Sequence, residues 1–534
     1  MAGANNTAQT PDRDPWAPIV LSLDGGGVRG LSTLYILREI MREIKRLDDN
    51  ASAEDRLEQN PDGQLPLPCH YFDLIIGTST GGLIAIMLGR LRMGVLDCIQ
   101  QYWVLSNTIF RPHRLRFVQL YSRRKVQDAA IEVVKQFCDR HPGRPGECTG
   151  NEFLRQYDYD EEDITSPNRP FANKTCRVAV LTVREEGITT FVKERSDVPV
   201  LFRSYNHRLR DPNDVYELNP KTLEKSRLRI HEACSATSAA PTYFRPVWLW
   251  GRKFIDGGVQ ANNPSIVAWN EAICMANPPY DRGSSGPQNN PRALISIGTG
   301  MSTKYHRFGV RPFLRFMARK IVDTEDDHRN ATFLTRNSCY WRFNVPDESS
   351  SPDRHGLAEI RLSDCKKKHL RPWSARATDR LLGRSATSPN INLGSGGNAT
   401  ANAPSLQNTP AKDINPSDRL KEVIKEDSGL QESVRETRKG GFKPSKYTYD
   451  TFNDIREWTV RYCYSVQDDE KRIGNLITEC ATELRDRSLE RRNLERDRGP
   501  EVRSWTSFRN PQIPPVVAPN NEAPITVPPQ AGGR

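Results

Sequence analysis

The sequence predicts an α/β fold: a three-layer αβα sandwich around a central, mostly parallel sheet, followed by a C-terminal helical extension. Three observations carry this. From about residue 17 to 350, short apolar runs alternate with helical patterns. Two of those runs end in glycine-rich turns that open directly into a helical pattern. Beyond a long polar stretch, apolar residues return at helical spacing.

The strand candidates, in order, are IVLSL, YFDLIIG, CRVAVLTV, RKFID, ALISIG and YWRFNV. Leu34, Leu37, Ile40, Met41 and Ile44 recur at helical spacing after the first glycine loop, and Ile84, Met87 and Leu91 do so after GTSTGG. The chain therefore divides into an N-terminal tail (1–16), an α/β domain (17–350), a basic extension packing on the core (351–382), a low-complexity linker (383–416), a helical C-terminal region (417–490) and a charged, then Pro-rich tail (491–534). The linker is too rich in Gly, Ser, Asn and Pro to bury a core. In the helical region, Phe452, Ile455, Trp458 and Tyr462, then Ile473, Leu476, Ile477, Cys480 and Leu484, mark two amphipathic helices expected to pack on the main domain or on each other.

With 534 residues the chain is long enough for a large core. Its 11 cysteines are scattered singly, without a CxxC pair, and its first residues carry neither a basic nor an apolar segment. An intracellular, cytoplasmic protein that is not secreted is expected. That setting makes the sequon at Asn50–Ser52 an accident of sequence. No run of eighteen apolar residues occurs, so no transmembrane helix is expected and any membrane contact is peripheral. The net charge of +11 suits an anionic lipid surface, a nucleic acid or plain solubility. No zinc-finger spacing, basic heptad or aromatic RNA-binding signature accompanies it, and no nucleic acid is expected.

Gly25, Gly27 and Gly30 spell GxGxxG between a strand and a helix. A dinucleotide fold also needs a second strand ending in an acid, yet the helix runs into the polar KRLDDNASAEDRLEQNPDGQ. A phosphate loop needs Lys-Ser or Lys-Thr after the glycines, and none follows. What remains is a nest of N–H groups at a helix start, suited to any small negative centre.

The second glycine turn is GTSTG at residues 77–81, in a strand–turn–helix context. This is a nucleophile elbow with Ser79 at its apex, Gly77 and Gly81 keeping the flanks small. The competing reading is that Ser79 only caps the helix. A serine nucleophile needs a base. The nine histidines sit in polar or basic stretches without a strand end or turn to aim them, and the best placed, His231, heads a helix pattern where packing or capping suffices. Asp256, by contrast, ends the strand RKFID and is followed by Gly257 and Gly258, which allow a close approach. Partial burial would raise its pKa enough to serve as the base, although an ordinary Asx turn explains an aspartate at a strand end equally well.

DGGGVRG, GTSTG and DGG, in this order, resemble the three signatures of the patatin-like phospholipase family, lipid acyl hydrolases that use a Ser–Asp dyad. ATSAAPTYF, ANNP and ISIGTG are similar to further family segments, and the likeness covers roughly residues 19–345. The resemblance implies Ser79 as nucleophile, Asp256 as general base and the amides of Gly25, Gly26 and Gly27 as oxyanion hole. Asp24, Arg29, Gly30, Gly77, Gly81, Gly257 and Gly258 complete the motifs. Arg29 would either orient the loop through an ion pair or meet a lipid phosphate. Ser235 stands where many relatives carry arginine.

The implied reaction is calcium-independent acyl transfer from a glycerophospholipid ester to water, with no cofactor and no metal; no calcium-loop or zinc-ligand pattern occurs in the chain. The substrate partner would be a phospholipid or other glycerolipid. The rival is a catalytically silent lipid- or anion-binding protein on the same fold, which has no need of both Ser79 and Asp256. The basic, aromatic stretch at 109–125 and the basic stretch near 365–384 are candidates for peripheral docking on an anionic membrane, with a solvated face as the plain alternative.

Overall fold

A computed structural model of the chain describes residues 17–57, 64–109, 121–138, 148–155, 176–185, 198–205, 228–241, 243–276, 290–300, 324–335, 339–346, 409–437, 446–465 and 473–498. Residues 110–120, the basic extension at 351–382 with the basic stretch near 365–384, most of the linker, the N-terminal tail and residues 499–534 lie outside the described residues, whereas 491–498, assigned to the C-terminal tail, continue a helix.

Among the described residues eight strands form one mixed sheet: β1 Ile19–Leu23, β2 Leu74–Thr78, β3 Arg177–Glu185, β4 Val198–Arg203, β5 Val247–Leu249, β6 Arg252–Asp256, β7 Ala293–Ile297 and β8 Cys339–Phe343. The pairing path runs β5-β6-β3-β2-β1-β7-β8, and β4 also pairs with β3. Between β3 and β8 all neighbours are parallel, whereas β4, β5 and β6 are antiparallel additions. β1 and β2 are buried along their whole length, which is why they read as unbroken apolar runs rather than alternating ones.

The register on β3 sets up the site. Val180 pairs with Gly77 of β2 and Phe202 of β4; Thr182 pairs with Val200 of β4 and Asp256 of β6. A strand residue has one partner on each side. Hence β4 occupies one side of β3, while β2 and β6 share the other, end to end, and the last residues of β2 and β6 meet.

Helices cover both faces: α1 Gly30–Asp49, α2 Thr80–Ala85, α3 Val95–Ile109, α4 Arg123–Phe137, α5 Ile230–Thr237, α6 Ser265–Ala276 and α7 Glu325–Leu334. α2 does not continue as the regular helix its apolar spacing predicts but widens into a π-turn over Ile86–Arg90. The C-terminal region forms three helices, α8 Pro416–Thr437, α9 Lys446–Cys463 and α10 Ile473–Arg498. This differs from the expected pair within 417–490. The linker assignment also ends too late, because residues 409–415 are structured, with a 3-10 turn at Ala411–Asp413 and with Ala411 and Ile414 buried.

These helices belong to the main core. Phe452, Ile455, Ile477 and Leu484 join the same apolar cluster as α1 and the sheet. As a result α1 is buried on nearly all sides, charged residues included. Among the described residues no helix is long and apolar enough to cross a membrane.

Candidate active site

β2 ends in the turn that carries Ser79. Its backbone sits at φ 53, ψ −119, a left-handed conformation that costs a non-glycine residue about 1–3 kcal/mol. The surroundings hold it there. The Ser79 N–H donates to Thr237 Oγ1 (2.9 Å), whose hydroxyl donates in turn to the Leu181 carbonyl (2.6 Å). Gly77 and Gly81 let the elbow close: a Cβ on Gly81 would lie 2.2 Å from the Leu23 carbonyl oxygen, and one on Gly77 2.1 Å from that of Gly81.

Asp256 arrives from the opposite direction at the end of β6. Its N–H donates to the Ala239 carbonyl (3.1 Å), and its Oδ1 accepts from the Gly258 N–H (2.8 Å), capping the 3-10 turn Gly257–Val259. The remaining oxygen, Oδ2, accepts from Ser79 Oγ at 2.7 Å. The aspartate is thus both a turn former and the hydrogen-bond partner of the serine. It is buried, and desolvation pushes its pKa up from 3.8 to about 7 against the opposing hydrogen bonds from Ser79 and Gly258. No histidine lines this site among the described residues. His231 is half-buried on α5, with Nδ1 unpartnered, and makes no cap.

The glycine loop corrects one expectation. Gly25 cannot serve as an oxyanion donor, since its N–H is taken by the Asn262 carbonyl (3.1 Å) while its own carbonyl accepts from Asn262 Nδ2 (3.1 Å) and Thr299 Oγ1 (2.9 Å). Gly25 is the pin of the loop. Gly26 and Gly27 follow it, line the same cavity as Ser79, and their N–H groups meet no acceptor among the described residues. Gly30 opens α1 against Thr80 and Tyr102, and Gly257 packs on the Leu181 carbonyl.

Asp24 and Arg29 are both buried. Asp24 receives two hydrogen bonds from Arg342 of β8, at 2.9 and 2.6 Å. Burial works against the Arg342 charge, but the Asp24 carboxylate more than reverses this and holds the guanidinium protonated above its ordinary range. Among the described residues Arg29 makes no ion pair, although the Asp24 charge supports its own, and it is only 4% exposed. Its Nε lacks a partner, and burial lowers its pKa to about 10. Ser235 turns its hydroxyl onto the His231 carbonyl within α5 and leaves the Ser79–Asp256 contact untouched.

Sequence reasoning missed Thr237, Asn262, Thr299 and Arg342 as site residues, although the first three lie inside stretches that resemble family segments. Of these four, Asn262 lines the cavity over Ser79, which together with the open solvent at its mouth measures about 730 Å³. Ser79, Asp256, Gly26, Gly27 and Asn262 form its polar floor, and Leu83, Tyr102, Leu105, Val126, Tyr243 and Phe244 its apolar walls. A second, apolar cavity of about 370 Å³ shares Leu83, Leu105, Ile109 and Val126 with the first and extends to Met87, Val133 and Cys234. Elsewhere, donor atoms of Cys138, Cys148 and Glu152 lie within 4.8 Å of one another, a grouping not visible in their sequence spacing; none of the three lines the cavity.

A helix-covered, mostly parallel sheet that aims a strained elbow serine and a buried aspartate into one apolar cavity defines a hydrolase-type α/β domain. The comparison with known proteins narrows the class. Residues 21–269 match the model of the patatin-like phospholipase family. It is 27% identical over 384 residues to calcium-independent phospholipase A2-gamma of Homo sapiens, covering 69% of this chain and 40% of that protein. It is 25% identical over 386 residues to the Rattus norvegicus protein of the same name, again covering 69% and 40%. Patatin-like protein 1 of Arabidopsis thaliana is 28% identical over 316 residues, covering 55% of this chain and 61% of that protein. The chain spans about two fifths of the length of the phospholipase A2-gamma relatives.

Proposed function

We propose that the chain is a calcium-independent acyl-ester hydrolase of phospholipase A type, cleaving fatty-acyl esters of glycerophospholipids through Ser79 and Asp256. The observation that carries this reading is the 2.7 Å hydrogen bond from Ser79 Oγ to Asp256 Oδ2 in the cavity that Gly26 and Gly27 also line. The names of the phospholipase relatives support the same substrate class and its independence of calcium.

The steps follow from the atoms present. Asp256, ionised above a pKa of about 7, takes the Ser79 proton on Oδ2 as Oγ attacks the ester carbonyl carbon. The carbonyl oxygen becomes negative and receives the Gly26 and Gly27 N–H groups, a stabilisation that commonly contributes about 3–4 kcal/mol per donor. The tetrahedral centre collapses, Asp256 gives its proton to the departing alcohol oxygen, and the acyl group stays on Oγ. Water then attacks the acyl-enzyme, Asp256 accepts its proton, and the fatty acid leaves as Ser79 is reprotonated. The apolar cavity beyond the wall of Leu83, Leu105 and Val126 matches an acyl chain rather than a charged or sugar-like group.

The test presents purified protein with a fluorogenic short-chain ester and with labelled phospholipids in EDTA, products being identified by mass spectrometry. Release of fatty acid and lysophospholipid is expected from the wild type and none from Ser79→Ala. Undiminished hydrolysis by Ser79→Ala would remove the nucleophile. No hydrolysis by either, with lipid still bound, would favour the silent-binder reading.

A further inference from the structure

The segment that walls the cavity continues into a hairpin. Tyr243 and Phe244 line the cavity; the chain then becomes β5, turns at Trp250–Gly251 and returns as β6 to Asp256. Along β5, Val247 and Leu249 are buried while Trp248 is 65% exposed; Trp250 at the turn is 38% exposed. The outward indole of Trp248 contributes nothing to the core. Other exposed large apolar side chains among the described residues, Phe333, Leu334 and Ile424, lie away from this segment on α7 and α8.

The hairpin also stands at the catalytic end of the sheet. Thr78 of β2 pairs with Leu181 and Asp256 with Thr182, whereas Lys253 pairs with Glu185, so β6 runs past the end of β2 from the level of Ser79. Cations surround the indoles. Arg245 and Arg252 are exposed on either side of β5, and no acidic residue occurs from Arg245 to Lys253. Arg123 donates to the Pro246 carbonyl (2.9 Å) and the Tyr121 N–H to the Tyr243 carbonyl (2.9 Å), which brings the exposed Arg124 alongside. Lys253 is engaged with Glu185 and adds no free charge.

We propose that the β5–β6 hairpin, with Trp248, Arg252 and Arg124, is the surface on which this chain docks to an anionic phospholipid bilayer, Trp250 anchoring the turn on Phe202 and Phe254. Indole rings with an apolar body and a polar N–H favour the headgroup layer, and flanking cations favour an anionic leaflet over a neutral one. From Arg245 to Lys253 the hairpin carries cations and no acid, and the carboxylate beside it in the sheet, Glu185, is taken up by Lys253, which favours an anionic surface as the occupant. The inference rests on the lipid-ester reading for its purpose: docking here brings the cavity beside Tyr243 and Phe244 to the lipid.

The experiment uses the full chain carrying Ser79→Ala, so binding is read without hydrolysis and independently of whether Ser79 is the nucleophile. Co-sedimentation with phosphatidylcholine vesicles, with and without phosphatidylserine, is expected to show binding only to the anionic vesicles, weakening as NaCl rises from about 0.1 to about 0.5 M. Adding Trp248→Ala is expected to weaken it about ten-fold, and Arg252→Glu about five-fold. Circular dichroism and Tm check that both variants fold. A Trp248 indole that enters the bilayer also shifts the protein's fluorescence to the blue on vesicle addition, and the shift shrinks in Trp248→Ala. Equal binding with and without Trp248, or no binding by the parent, overturns the proposal while leaving the ester chemistry standing. So does a concentration-dependent dimer abolished by Trp248→Ala without vesicle binding, which would assign the β5 edge to self-pairing.

Discussion

The burial of a single carboxyl group couples activity to pH. Asp256 must be ionised to take the Ser79 proton, and desolvation lifts its pKa to about 7. On the acid side, kcat/KM for a soluble ester is expected to fall about ten-fold per pH unit below that value. Its effect on stability has the opposite sense to an ordinary paired carboxylate. The folded pKa lies above the ordinary 3.8, so the folded state holds the proton more tightly; stability is lost as pH rises from about 4 to about 7 and is level above. Asp256→Asn removes that loss. It is expected to be inactive yet to melt higher than wild type at pH 8, by a contribution on the order of 3 kcal/mol, with the gap closing near pH 4. Equal melting temperatures at both pH values would mean that the carboxyl group is not desolvated. Thr237 offers a second residue-scale test. Thr237→Val keeps the shape but strands the Ser79 N–H and the Leu181 carbonyl, so a loss of about 1–3 kcal/mol in stability and a fall in kcat rather than KM are expected from thermal melts and steady-state kinetics. Ser79 and Asp256 were legible in the sequence because each sits at a strand end with glycines that nothing else required. Thr237 and Arg342 were not: they act on Ser79 and Asp24 across 158 and 318 positions, and neither has a local pattern.

Among elements, α1 shows how charged residues at helical spacing mislead. Arg38, Glu39, Arg42 and Glu43 look like a solvated face, but α8, α9 and α10 cover them. Glu39 accepts from Arg38 (3.0 Å), Arg42 (3.3 Å), Arg419 of α8 (3.0 Å) and the Tyr464 hydroxyl beyond α9. Burial alone would raise its pKa, yet the guanidiniums of Arg419, Arg38 and Arg42 hold it well below the usual carboxylate range. Its contribution is therefore complete above its ordinary 4.5 and is lost as pH falls, the mirror of Asp256. Glu39→Gln removes the carboxylate that three buried guanidiniums share, leaving Arg38 to Asp427, Arg42 to Glu43 and Arg419 to Glu422 and Glu426, and is expected to cost about 3 kcal/mol, read as a lowered denaturation midpoint. Since α1 begins at the glycine loop, its seating also fixes Gly26 and Gly27. The six strands that pattern reasoning located are those with long apolar runs; β4 and β5 escaped because one is a proline-containing antiparallel addition and the other only three residues long. The parallel body of the sheet and the strand that ends in Asp256 were thus readable, whereas the antiparallel β4 and β5 beside that strand were not.

At the scale of the whole molecule, the C-terminal helices decide whether the α/β domain is a separable unit. Their apolar spacing predicts packing on the main domain or on each other, and the contacts join them to the main domain. Asp73, which precedes β2 and accepts from the Ile19 N–H (2.7 Å), also accepts from Arg491 (2.8 Å) and from Arg487, both on α10. Arg292, which precedes β7, pairs with Glu483 and Glu490 of the same helix. One helix thereby staples the entrances of three central strands. A chain ending at residue 408 would expose the apolar and charged faces of α1 together and strand Asp73 and Arg292. It is expected to aggregate or to bind a hydrophobic dye without a cooperative melt, even though every motif of the site is retained. Asp73→Asn in the full chain separates this from a trivial truncation effect: two buried guanidiniums lose their anion, and a drop of about 3–5 kcal/mol is expected by chemical denaturation while the Ser79–Asp256 hydrogen bond is untouched. A monomeric truncated chain melting like the full one would show instead that the α/β domain supplies its own core and that the helices serve another purpose.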